Sequence, residues 1–356
     1  MKASLSLAAR GVGRVSPNPM VGAVLVANTG DVLSTGYHRR FGGAHAEVEC
    51  LRRFKGDVAG STLYVNLEPC SHHGKTPPCA DLIVRSGLRR VVVAMLDPNP
   101  AVAGRGVARL RRAGISVSVG VCASEARVLN RHFIRHITTR RPFVHVKVAQ
   151  TVDGKIGSGG KRQKWITGPL SRKLVHGWRS RCDAVLVGAG TITADDPRLD
   201  VRLVRGRNPD VVILDGSLRV PASARVFSDT SSRRVFVCTA EARDARSRRV
   251  VQELSLAGAI ILSFHAPGGR IPLRRILSEL YRHQIGSVLV EGGGEVFSEF
   301  LAEGLVDELS LFVAPRVLPR GMPAFSAQGS AASSRRVESL DARRIGGDVL
   351  VTALFR

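Results

Sequence analysis

Four residues near the start of the chain have the types and spacing to build a catalytic metal site. HAEV (45–48) supplies the imidazole of His45 and the carboxylate of Glu47, and EPC (68–70) together with Cys79 supplies two sulfurs. A tetrahedral Zn²⁺ held by three protein ligands keeps its fourth position for water, whose pKa it lowers towards about 7. Such water attacks an amino-substituted ring at neutral pH. Glu47, two residues after the histidine, is placed to carry protons from that water to a ring nitrogen and to departing ammonia.

The general signature of zinc deaminases puts two residues between its cysteines, whereas CSHHGKTPPC (70–79) has eight, so a loop must bring Cys79 back to Cys70. The competing possibility is a closed structural site with His72 or His73 as fourth ligand. HAE followed by a strand that ends in EPC favours the open, catalytic form. Cys50, on the HAEV helix, reads as a small core residue. With Cys122, Cys182 and Cys238 scattered through a chain this long, no disulfide framework is expected.

Strands and helices must alternate to position these groups. The spacing predicts a helix over 1–10, a hairpin of VGAVLVA (21–27) and VLSTGY (32–37), a helix over 45–54, a strand TLYVNL (62–67) and a helix over 78–86. RVVVAM (90–95), a helix over 107–113, ISVSV (115–119) and a helix over 124–137 complete an α/β unit. The polar, basic run HITTRRPF (136–143) then reads as a connection, with the domain boundary near Thr139. The second half restarts with VHVKVA (144–149). Strands follow at 184–188, 211–215, 234–238, 259–263 and 287–294, with helices such as 171–179 and 295–302 between them. LSLFVAP (309–315) and VLVTALF (349–355) have no long helix between them, so a mainly parallel sheet with an antiparallel edge is predicted. No internal repeat is apparent.

The 356 residues are 44% hydrophobic and 23% charged, a globular composition long enough for two cores. No apolar run approaches the ~20 residues that span a bilayer, and the N-terminal stretch lacks a signal-peptide core, so a cytoplasmic, non-membrane protein is expected. The net charge of +24 favours anionic partners, whether nucleic acid, phosphorylated metabolites or a phosphorylated cofactor. Arginines spread through LRRF, GLRR, LRRAG, SSRRV and LRRIL, with only 5% aromatics, suit solvated faces better than a nucleic-acid surface.

PNPMVGAVLV (17–26), GYH (36–38), HAEV (45–48), EPCSHHGKTPPCADLI (68–83) and DPNPAVAGRG (97–106) resemble, in this order, the deaminase domain of the bifunctional riboflavin-biosynthesis deaminase/reductase family. The resemblance implies a cytidine-deaminase-like, three-layer α/β domain over 1–139. The reaction implied is zinc-dependent deamination of 2,5-diamino-6-ribosylamino-4(3H)-pyrimidinone 5′-phosphate, a small-molecule pyrimidine ribose 5′-phosphate. It further implies His45, Cys70 and Cys79 as metal ligands, Glu47 as proton shuttle, and Asn18, His38, Lys75 and Asn99 lining the substrate pocket. Asn18 and Asn99 have the donors and acceptors to read a ring amide, and Lys75 suits a phosphate or carbonyl. Beside proline, each asparagine equally suits a turn.

KVAQTVDGKIG (147–157), KWITG (164–168), VGAGTITADDPRLDVR (187–202), LVEGGGEVFSEFL (289–301) and GLVDELSLFVAP (304–315) are similar to the same family's NADPH-dependent reductase. That similarity implies a dihydrofolate-reductase-like α/β domain over 140–356, which would deliver hydride to the ribosyl side chain to give 5-amino-6-ribitylamino-2,4(1H,3H)-pyrimidinedione 5′-phosphate. Ala149, Trp165, Thr191, Asp195, Gly293, Gly294, Glu295, Val296 and Phe297 would bind NADPH. Gln163, Arg179, Leu199, Arg202 and Glu291 would face the substrate, with Arg179 and Arg202 suited to clamping its phosphate. Gln163 stands where the family commonly has serine, which puts substrate contact there in question. Lys147 and Asp153, taken to lie where the first reductase strand ends, are the candidate acid, base or sugar anchor. A triple glycine alone is usually a turn, and Trp165 equally suits a core. A homo-oligomer is expected. Two other readings compete: a nucleic-acid-acting zinc deaminase with a basic accessory domain, and a deaminase whose second domain only scaffolds assembly.

Overall fold

The first helix and the first strand meet because neither has a side chain in the way. A Cβ on Gly22 would come within 2.2 Å of the Ser4 carbonyl oxygen, and Ser4 Oγ instead donates to Gly22 O at 2.7 Å. The structure, a computed structural model, describes residues 1–356 except 73–76, 101, 158–164, 267, 326–335 and 356. The chain divides into two compact units, Met1–Arg141 and Pro142–Arg356, a division two residues beyond the boundary read near Thr139.

In the first unit, α1 (Lys2–Ala8) leads to β1 (Gly22–Val26), β2 (Val32–Tyr37), α2 (Ala46–Arg53), β3 (Thr62–Val65), α3 (Cys79–Arg85) and β4 (Arg90–Val93). Then come α4 (Arg105–Arg112), β5 (Ser116–Val119), α5 (Ala123–Leu129) and α6 (Arg131–Thr139). The sheet order is β2-β1-β3-β4-β5. β1 is antiparallel to both its neighbours, and β3, β4 and β5 are parallel. Leu25, Leu63, Ile83, Val91 and Leu110 share one buried core, as the apolar spacing of these segments requires.

The helix predicted over 124–137 is two helices broken at Asn130, and the run read as a connection is helical to Thr139. The break has a cause. Buried Asn130 turns inward, its Oδ1 accepting the Met20 amide at 2.8 Å and its Nδ2 donating to Met20 O at 3.0 Å. Asn66 takes the Gly22 amide at 2.8 Å and also donates to Met20 O, at 2.9 Å. Two buried amides thus fix the strand entry that follows Asn18.

The second unit runs β6 (Phe143–Thr151), β7 (Lys155–Gly157), α7 (Pro169–Arg179), β8 (Ala184–Gly188), α8 (Ala189–Asp195), β9 (Asp210–Leu214), β10 (Val235–Ala240) and α9 (Ala245–Leu256). It continues with β11 (Ala259–Phe264), α10 (Leu273–Arg282), β12 (Ser287–Val290), α11 (Gly294–Ala302), β13 (Glu308–Ala314), β14 (Met322–Pro323), β15 (Ser339–Ile345) and β16 (Asp348–Leu354). Among the described residues the main sheet has the order β11-β10-β9-β8-β12-β6-β13-β16-β15. It is parallel from β11 to β13, and β16 is antiparallel to both β13 and β15. The predicted parallel sheet with an antiparallel edge is therefore present. β15 went unread because SLDARRI has no apolar alternation: six of its seven residues are exposed, as suits an edge whose charges discourage further pairing.

Candidate active sites

In the first unit, His45 sits in extended backbone just ahead of α2, Cys70 follows β3, and Cys79 opens α3. Their ligand atoms lie within 4.8 Å of one another. His45 Nδ1 is 3.3 Å from Cys79 Sγ and 3.6 Å from Cys70 Sγ. Zinc bond lengths of about 2.0–2.1 Å to nitrogen and 2.3 Å to sulfur put tetrahedral ligand atoms about 3.5 Å apart, so the donor set fits. Charge agrees with geometry: the Cys79 thiol donates to Cys70 sulfur, which pulls the Cys70 pKa down and pushes that of Cys79 up. Both sulfurs can be thiolates this close, beside a buried carboxylate, only with a cation between them.

Among the described residues the cluster has three members. His72 is exposed and outside it, His73 lies outside the described residues, and Cys50 packs in the core as read. Glu47 is 3% exposed in the first turn of α2, and burial, reinforced by the Cys70 thiolate, raises its pKa to about 7. A carboxyl poised there can both take and give a proton near neutrality.

His38 lies edge-on to His45, with ring centroids 5.6 Å apart. Its Nδ1 is 2.9 Å from Ala44 O, so Nδ1 carries the proton and Nε2 accepts from Asn18 Nδ2 at 3.2 Å. Burial lowers its pKa, consistent with a neutral ring. Asn18 and His38 therefore stand together beside the ligand triangle. Lys75 lies outside the described residues.

The sequence reading gave Glu68 no task beyond its place in EPC. Its carboxylate is 3% exposed and accepts three main-chain amides: Asp97 at 3.0 Å, Gly104 at 2.9 Å and Val107 at 3.0 Å. Lying two residues before Cys70, it caps the start of α4 and closes the loop that carries Asn99. Gly106 admits this contact, since a Cβ there would meet Pro69 O at 2.0 Å. A buried acid beside a metal ligand, upstream of a Gly-containing helix start, was the available signal.

In the second unit, β8 and β12 are parallel neighbours; β8 runs directly into a helix capped by Gly188, and β12 reaches its helix, capped by Gly293, through three residues. The triple glycine is more than a turn. A Cβ on Gly292 would lie 2.7 Å from Thr191 Oγ1, Gly293 has φ +77°, and a Cβ on Gly294 would meet Pro323 O at 2.9 Å. Backbone amides at the start of α11 are left able to approach a phosphate of a dinucleotide. The Phe297 ring is buried in the core, so this segment offers main chain and the flanks of Glu295 and Val296. Trp165 is not core: it is 46% exposed, with the Arg172 guanidinium 4.7 Å over its ring. Asp195, at the end of α8, is exposed, and Gln163 lies outside the described residues.

Lys147 and Ala149 share a face of β6, which pairs with β13. Lys147 is at the fifth of nine positions, about 13 Å from the strand's end at 3.3 Å per residue. The expectation that it marks that end beside Asp153 is corrected. Asp153 lies in the following turn, where Thr151 Oγ1 donates to it at 2.5 Å and the Leu318 amide at 3.0 Å, so its carboxylate serves the turn. Burial lowers the Lys147 pKa, opposed by nearby Glu291. Burial of Glu291 is in turn outweighed by Arg179 and Lys147, which keep it ionised.

Arg179 donates to both Glu291 oxygens, at 2.6 and 2.8 Å. Its fork is therefore occupied, while Arg202, the other arginine of the expected clamp, is exposed and paired with Asp200. The Leu199 side chain is buried in the core, which leaves only its backbone for the contact expected there.

A three-ligand metal triangle with a buried glutamate, followed by a parallel sheet with glycine-capped helix starts, defines a zinc deaminase joined to a reductase. Residues 1–95 match the family described as cytidine and deoxycytidylate deaminase zinc-binding region, and residues 142–351 match the RibD C-terminal domain. The chain belongs to the RibD family. It is 43% identical to riboflavin biosynthesis protein RibD of Aquifex aeolicus over 90% of this chain and 88% of that one. To RibD of Escherichia coli it is 36% identical, over 98% and 96%. The solved Acinetobacter baumannii RibD superposes with a TM-score of 0.88 at 37% identity, covering 99% and 97% of the two chains. A Thermotoga maritima structure, described as a diaminohydroxyphosphoribosylaminopyrimidine deaminase/5-amino-6-(5-phosphoribosylamino)uracil reductase, gives 0.84 at 39%, covering 100% and 97%.

Proposed function

We propose that the two reactions divide between the units, with deamination in residues 1–139 and reduction in 140–356, and that the residues above carry them. The chain is a bifunctional riboflavin-biosynthesis enzyme, a zinc-dependent deaminase and an NADPH-dependent reductase. Neither the nucleic-acid-acting alternative nor the inert second domain is favoured by relatives that match across both units.

The observation that carries the deaminase assignment is the 3.3 and 3.6 Å approach of His45 Nδ1 to the two sulfurs, with Glu47 buried beside them. Zinc held there supplies a water acidic enough to attack the amino-bearing ring carbon of the diaminopyrimidinone phosphate. Glu47 would take one proton from the attacking water and give it to the ring nitrogen, then take the second from the hydroxyl so formed and give it to the amino group, which leaves as ammonia. Asn18, held by His38, and Asn99, on the loop closed by Glu68, orient the ring amide, and Lys75 meets the phosphate or a carbonyl.

In the second unit NADPH supplies the hydride to C1′ of the opened ribosyl group. Thr191, Gly293 and Gly294 line its phosphates, with Ala149, Trp165, Asp195, Glu295 and Val296 around it. Lys147, beside the Glu291–Arg179 pair, orients the sugar or moves its proton, and Arg202 receives the 5′-phosphate. Among the described residues no helix is long and apolar enough to cross a membrane. Cytoplasmic location accords with six free cysteines, and a homo-oligomer is the proposed assembly, which light scattering tests. Metal analysis tests the site: about one zinc per chain in the wild type, lost in Cys70→Ser, is expected from a three-ligand site.

A further inference from the structure

The segment 198–202 has no regular secondary structure, yet one main-chain group on each of five consecutive residues is held by a side chain from elsewhere. Arg233 donates to Arg198 O at 2.5 Å and to Leu199 O at 3.0 Å. Arg179 donates to Asp200 O at 3.0 Å. The Val201 amide donates to Asn208 Oδ1 at 2.8 Å, and the Arg202 amide to His176 Nδ1 at 3.1 Å. Leu199 itself has φ +52°, a left-handed conformation that a leucine adopts only when its surroundings impose it.

Arg233 is 6% exposed, and among the described residues no carboxylate is within ion-pair distance of it. A guanidinium buried on two carbonyls is a costly way to hold a loop, and a shorter neutral donor cannot reach both oxygens with the same planar fork. Nothing in the hydride chemistry calls for a charge at this place. What the arrangement does is fix the backbone that ends at Arg202.

We propose that Arg233 is a positioning residue for the reductase: by pinning the 198–199 carbonyls it presets the loop so that Arg202 meets the substrate phosphate without reordering. The proposal rests on the substrate reading of Arg202 given above. Preorganisation of this kind appears in substrate affinity, because a loop that must be ordered on binding weakens the complex. It does not alter the cofactor site on α11 or the zinc site.

The test is a double-mutant cycle between Arg233→Lys and Arg202→Ala, read as reductase kcat/KM for the pyrimidine phosphate. Arg233→Lys keeps the charge and stem, and Asn208→Ala, which frees the Val201 amide and also removes the Asn208 Nδ2 donor to Asp229 at 3.2 Å, provides a second route to the same loop if the first variant folds poorly. Arg233→Lys is expected to raise the substrate KM about 10-fold, while the NADPH KM and ammonia release stay within about 2-fold. In the Arg202→Ala background the same change is expected to cost under about 2-fold, because the group being positioned is gone. A merely structural role would cost the same in both backgrounds and would move both substrates' constants, and that result overturns the proposal. A silent Arg202→Ala would remove the substrate reading, and the proposal with it. A strong Arg202→Ala effect with silent Arg233→Lys and Asn208→Ala would overturn the positioning role alone.

Discussion

Glu68 Oε1 accepts the Val107 amide at 3.0 Å, tying the residue two before Cys70, a proposed zinc ligand, to the first turn of α4. Its other oxygen takes Asp97 and Gly104, so the loop bearing Asn99 closes on the same carboxylate. Glu68→Gln turns one acceptor into a donor facing amide donors, at a cost of about 1–3 kcal/mol for the groups left unpaired. A deaminase kcat/KM lowered about 10-fold, with zinc content and NADPH oxidation unchanged, is the result expected; loss of zinc instead would place Glu68 with the metal and not with the loop.

Glu47 is buried, and its raised pKa suits a group that exchanges protons near neutrality. Glu47→Gln keeps size and most packing but cannot shuttle. Ammonia release should fall by about 10²–10⁴-fold with one zinc per chain retained, and steady-state assays beside metal analysis would read both.

Removing zinc with a chelator leaves Cys70 and Cys79 sharing protons at a site where the Cys70 pKa is already depressed. One sulfur, that of Cys70, should become newly reactive towards a thiol reagent, counted against the metal-loaded protein, while buried Cys79 keeps its proton. Ammonia release should stop, while the reduction of already deaminated substrate continues, because no residue of the second-unit site is a zinc ligand.

His176 carries a pH dependence of stability. Burial, then Arg179 and Arg202, lowers its pKa to about 4, whereas an unfolded histidine titrates near 6.5. Below about pH 6.5 the unfolded chain binds the proton and the folded one does not, so stability falls as pH drops from about 6.5 to 4 and levels off below. Denaturant midpoints across that window should show the slope, and His176→Gln should flatten it.

Much of the architecture was legible because its cause is local. The apolar runs 184–188 and 287–290 have strand length, the first ending at Gly188 and the second followed by Glu291 and three glycines, and no competing helical spacing exists within them. HAE and EPC gave the metal triangle because the ligands sit at element ends, where the chain itself aims them. What escaped depends on distant partners. The Asn130 break lies inside a helical pattern, and only Met20, 110 residues away, explains it. The charged edge strand β15 carries no apolar signal because one neighbour supplies all its pairing. Arg179 was read as a phosphate clamp because an arginine fork fits phosphate and carboxylate alike, and Glu291, 112 residues on, takes it. Lys147 and Asp153 look adjacent in a motif, but the strand's rise separates them.

The most direct measurement is a two-stage assay of the zinc-loaded protein with 2,5-diamino-6-ribosylamino-4(3H)-pyrimidinone 5′-phosphate. Ammonia is followed first without NADPH, and absorbance at the reduced-nicotinamide band after NADPH is added. One equivalent of ammonia should appear in the first stage, and about one equivalent of NADPH should be oxidised per deaminated product in the second. Wild-type protein that releases no ammonia, or that releases it and then leaves NADPH untouched, would contradict the assignment of both reactions to this chain.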